Sequence, residues 1–182
     1  RIQYQDGSIF MKDVGALESC PQTPIHNPAA NVRYFEDWTR LEPTIACITI
    51  DHGCCNDETI TSLDFTRFER VEEIVIGNTC CRHVGELKIV GLSRLRRIDI
   101  GSNCCTETER PYKENPNHPF VVKDCAMLRT LKIGTGSFKD YTTCEIENND
   151  NLESIQIGAT EASNYTFARS SLSVRSVSIA PE

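Results

Sequence analysis

The sequence predicts an all-β fold, a right-handed parallel β-solenoid with two short strands per repeat of about 24 residues, stapled by disulfides. Three observations predict it. The pattern φxxφxφ, usually followed by Gly, occurs six times: IACITIDHGCC from Ile45, VEEIVIGNTCC from Val71, LRRIDIGSNCC from Leu95, LRTLKIGTGSF from Leu128, LESIQIGATEA from Leu152 and VRSVSIAPE from Val174. A weaker φxφ follows each of the first five copies, so every repeat carries two alternating segments of strand length. Three of the copies end in adjacent cysteines at equivalent positions, which stacking would bring into register.

Taken in order, residues 1–10 read as a degenerate first copy, with Ile2 and Tyr4 inward and Gly7 near the following turn. From Ala16 to about Pro43 the pattern lapses into an excursion holding Cys20, Pro21, Pro24, Pro28 and the single tryptophan, Trp38. That stretch is too short to build its own core, so residues 1–44 form a degenerate first coil with a Pro-rich excursion, residues 45–182 form the repeat array, and the whole is a single domain. The second strands are read at 63–65, 87–89, 120–122, 144–146 and 166–168. From each of these to the next first strand (Leu63 to Ile74, Leu87 to Ile98, Phe120 to Leu131, Cys144 to Ile155, Thr166 to Val177) the step is 11 residues. The reverse step runs 15, 13, 22, 13 and 11, so one corner is fixed and the other absorbs the variation. Helix is not expected, because no window sustains a 3.6-residue period. The Gly after the strand (Gly77, Gly101, Gly134, Gly158) suits a positive φ or a close backbone approach.

The patterns LxxIxIGxxxC and LxxLxIGxxSF resemble the leucine-rich repeat, and in particular the BspA-like, Treponema-type repeats of bacterial and protist surface proteins. The resemblance covers residues 45–179. It implies a curved parallel-β repeat domain at a cell surface, used in adhesion or recognition. The chain departs from that pattern in two ways: the repeat asparagine is matched only by Asn103, and CysCys pairs stand where one apolar residue such as Phe138 is expected.

Composition narrows the partners. A formal charge of −7 argues against nucleic acid and anionic membrane. No apolar run approaches the roughly 18–20 residues that span a bilayer, so no membrane insertion of this segment is expected. The chain opens on Arg1, which reads as a processed or excised piece. Ten cysteines, an even count, read as a secreted disulfide framework and place the protein outside the cell or on its surface. The disulfide candidates are Cys20, Cys47, Cys54, Cys55, Cys80, Cys81, Cys104, Cys105, Cys125 and Cys144. Equivalent positions in adjacent coils would lie about 4.8 Å apart, within the span of a disulfide, with the second Cys of each pair inward and the first outward. The sequon at Asn164 fits an N-linked glycan. Both Pro-rich excursions, residues 20–30 and 106–119, fall in the variable step and are expected along one edge with Asn164.

Chemistry is sparse. Two Cys and two His, from Cys80–Cys81 with His83 and Cys54–Cys55 with His52, offer a zinc alternative, but their opposed order around the Cys pairs disfavours it and no metal is expected. No GxSxG, HExxH or phosphate-cradling Gly loop is present, so no catalytic residue, no cofactor and no enzyme activity are expected. The outward strand positions (Thr49, Val75, Asp99, Lys132, Gln156, Ser178) form no uniform ladder. The sequence thus points to an extracellular structural or assembly module, a glycoprotein subunit of a longer fibrous or surface array. The alternative is a cell-surface adhesion or recognition domain binding a protein or glycan. The end at Val174–Glu182 shows no cap, and copies of the chain meeting head-to-tail are the expected partner.

Overall fold

A computed structural model of the chain describes residues 2–5, 8–11, 28–106, 118–158, 165–168 and 170–175. Strands β1 (Ile2–Gln5) and β2 (Ser8–Met11) pair antiparallel in a two-stranded sheet of their own, apart from the two parallel sheets. The repeat pairing begins with β3 (Ala29–Val32), which is followed by the short helix α1 (Phe35–Arg40). Strands β4 (Cys47–Ile50), β6 (Glu73–Ile76), β8 (Arg97–Ile100), β10 (Thr130–Ile133) and β12 (Ser154–Ile157) join β3 in a six-stranded parallel sheet ordered β12-β10-β8-β6-β4-β3. Between them in sequence lie β5 (Ser62–Asp64), β7 (Glu86–Val90), β9 (Pro119–Lys123), β11 (Thr143–Glu147) and β13 (Ser171–Arg175). These form a five-stranded parallel sheet ordered β13-β11-β9-β7-β5.

The register follows from alternation. Ile48, Ile74, Ile98, Leu131 and Ile155 align in one column, and Ile50, Ile76, Ile100, Ile133 and Ile157 in the next. Successive residues of a strand point to opposite faces, so β4 and β6 bury every second side chain and leave the others half-buried. Leu63, Leu87 and Phe120 of the other sheet belong to the same buried cluster, so one core serves both sheets.

The expected all-β, disulfide-stapled solenoid is corrected by this arrangement. Eleven strands form two open parallel sheets, an α/β-like arrangement with one short helix among the described residues. Ladder hydrogen bonds run within each sheet and not between them, so neither sheet closes or winds on itself. No disulfide is formed among the described cysteines, all nine of which are free thiols. The fifth second strand is also displaced: residues 166–168 are a turn, and β13 takes Val174, read from sequence as the start of a sixth copy, into alignment with Ile146.

Helix α1, six residues long, is too short to persist by itself. The Asp37 carboxylate accepts the Arg33 and Tyr34 N–H groups at 3.0 and 3.1 Å and fixes its first turn. Those two bonds hold Asp37 below the usual carboxylate range. Trp38 is buried edge-on to Phe65, which follows edge strand β5, and to Phe68, at 4.9 and 5.3 Å. The Arg67 guanidinium lies over Trp38 and Phe68 and donates to the Trp38 carbonyl.

Close approach of the backbone explains the glycine after the strand. A Cβ on Gly101 would stand 2.7 Å from the Gly77 carbonyl carbon, and one on Gly134 2.5 Å from that of Gly101. These are backbone obstacles that no rotamer can relieve. Gly134→Ala is therefore expected to destabilise the protein by about 3 kcal/mol, read from urea unfolding midpoints. An unchanged midpoint would show that the two sheets do not need this spacing.

Candidate functional site

The three cysteine pairs sit at the corners that follow β4, β6 and β8 of the six-stranded sheet. Cys55, Cys81, Cys105, Phe138 and Phe167 hold equivalent places, with φ of 57, 58, 48, 57 and 52°. Left-handed backbone is uncommon for such residues and costs on the order of 1 kcal/mol each. It recurs because each corner hands its N–H to the corner before it. Cys81 N–H bonds the Cys54 carbonyl (3.1 Å), Cys105 that of Cys80 (3.0 Å) and Phe138 that of Cys104 (2.9 Å).

The first residue of each pair was expected to face outward, but Cys80 and Cys104 are fully buried. Their thiols are hydrogen-bond donors to the preceding corner: Cys80 Sγ to Asp51 O and Cys104 Sγ to Gly77 O, both 2.9 Å. Ser137 does the same with its hydroxyl, to Gly101 O at 2.8 Å, while accepting the Cys104 N–H at 3.0 Å. Thr166 continues the series, donating to Gly134 O at 3.2 Å and accepting the Gly136 N–H at 2.9 Å. The position selects a small side chain with an S–H or O–H, which is why these cysteines need no disulfide.

Neighbouring thiols also perturb one another's ionisation. The adjacent Cys104 thiol lowers Cys80 to about 7, while the adjacent Cys80 thiol and burial raise Cys104. Cys81 is raised by the adjacent Cys105 and Cys55 thiols, with burial adding to them. Burial pushes Cys125 up to about 11 and Cys144 up to about 12, and it raises the half-buried Cys47 and Cys54 as well. Cys20 and the sequon asparagine Asn164 lie outside the described residues, as does most of the two Pro-rich excursions.

His52 and the Cys pairs do not converge on a metal. His52 Nδ1 accepts the Asn78 N–H at 2.8 Å, and Asn78 Oδ1 in turn accepts the Ser102 N–H at 2.8 Å. Among the described residues no three His, Cys, Asp or Glu side chains are placed to share an ion. These acceptors border a groove of about 300 Å³ that runs over Val75, Asp99 and Lys132. The outer faces otherwise carry exposed ion pairs, such as Arg97 with Glu73 (2.9 Å) and Asp99 (2.8 Å), of the kind worth little singly.

The other candidate surface is the end formed by β12 and β13, the last strands of their sheets. Leu131, Cys144 and Ile146 of the preceding strands are at most 1% exposed, whereas Ile155, Leu172 and Val174, aligned with them, are 39, 58 and 51% exposed. A groove of about 460 Å³ between the two strands is lined by apolar Ile146, Leu152, Ile155 and Val174 together with charged Asp150, Glu153 and Arg175. Sequence reasoning placed the open end one strand later, because it read Val174 as a new copy.

Among the described residues, no helix is long and apolar enough to cross a membrane. No protein-family model matches the chain, and neither a curated protein nor a solved structure is significantly similar to it.

Two outcomes test the corner. Ser137→Ala leaves the buried Cys104 N–H without its acceptor and should cost about 1–3 kcal/mol, whereas Ser137→Cys, the residue other corners use, should cost less. Equal losses in denaturant unfolding would remove the donor role. Cys125 and Cys144 keep their protons in the fold far above about pH 8.5, where unfolded thiols ionise. The stability they contribute is complete below that pH and is lost as pH rises toward 11. Under reductant, the unfolding midpoint should fall from about pH 8.5 to about 10.5, and less so in Cys144→Val. A midpoint with the same slope in both proteins would contradict this.

Proposed function

We propose that the chain is an extracellular structural or assembly module that associates with copies of itself through the β12–β13 end. The observation that carries the reading is the exposure of Ile155, Leu172 and Val174 at positions that the strands before them bury, as Leu131, Cys144 and Ile146 show. Edge strands present unpaired backbone groups, and proteins that stay monomeric blunt such edges with charges, proline or a covering segment. Among the described residues the apolar positions of β12 and β13 lie exposed, and an exposed apolar edge is a surface for strand addition.

Head-to-tail addition would need the opposite end to be open as well. There Val32 of β3 is fully buried, Pro28 precedes the strand, and Trp38 of α1 covers Phe65 and Phe68. Association through one end is the better supported form. Placement outside the cell rests on the Asn164 sequon, since buried thiols that act as donors give no argument for an oxidising compartment.

Sedimentation of the whole chain under reductant, over a wide concentration range, tests the reading. Concentration-dependent association is expected, and a single monomeric species at the highest soluble concentration would overturn it. For the compartment, glycosidase treatment of protein from its natural source should shift its mass. An unmodified Asn164 would remove that part of the proposal.

A further inference from the structure

We draw no further inference here: the strongest candidate, the half-exposed apolar end formed by β12 and β13 with its groove, belongs to the surface already described, and nothing in the structure shows what covers it.

Discussion

The distance between one corner and the next is the constraint on which the rest of the structure depends. Parallel strands sit about 4.8 Å apart, so the turns joining them must stack at that spacing too. Gly101 and Gly134 allow backbone to lie directly on backbone. Cys80, Cys104, Ser137 and Thr166 then tie each corner to the previous one through an S–H or O–H donated to its carbonyl. Each donor is worth about 1 kcal/mol. The repetition of the arrangement fixes the register of Ile48, Ile74, Ile98 and Leu131 over one another.

The same constraint explains why the core can be filled by a mixture of side chains. One column runs Cys55, Cys81, Cys105, Phe138 and Phe167, from small thiols to large rings. Phe138 and Phe167 stack at 5.0 Å with their planes 6° apart, and Phe138 meets Phe120 at 4.8 Å. Tyr141 adds a buried hydroxyl, satisfied by the Val84 carbonyl at 2.7 Å. Burial and the neighbouring Cys105 and Cys81 thiols raise this phenol well above its usual value. Where the thiols give way to aromatics, the volume is made up by rings and no buried side-chain nitrogen or oxygen among the described residues is left without a partner.

Strand positions were legible wherever alternation and spacing agreed. The φxφ segments at 48–50, 74–76, 98–100, 131–133 and 155–157 all lie in strands of the six-stranded sheet, and the 11-residue step holds from β5 through β12. Reading failed at the fifth repeat because that step was imposed on Thr166 and Phe167. Phe167 instead takes the corner place, with the positive φ of Cys105 and Phe138, and the strand moves on to Ser171–Arg175. Disulfides failed for a different reason. A spacing of about 5 Å is compatible with either a covalent bond or two thiols that each bond a carbonyl, and spacing alone does not separate them. The signal that could have done so was the alignment of Ser137 and Thr166 with Cys104, since the three share hydrogen-bond donation and not oxidation. Helix α1 and the β1–β2 pair lie outside the repeat and had no periodicity to betray them.

An open parallel sheet leaves an edge strand at each side, and what covers each edge is decided by residues outside the strand pairing itself. At β5 the cover is Trp38, whose ring lies against Phe65 and Phe68 and replaces the neighbour that another strand would have supplied. At β12 and β13 the described residues offer no equivalent ring, and the aligned columns end in half-exposed isoleucine, leucine and valine. The two ends therefore differ in kind: a tryptophan held by a six-residue helix and an arginine cover one, while the other keeps the apolar pattern of an interior strand. Interior patterning on an edge strand is stable when a partner completes the sheet.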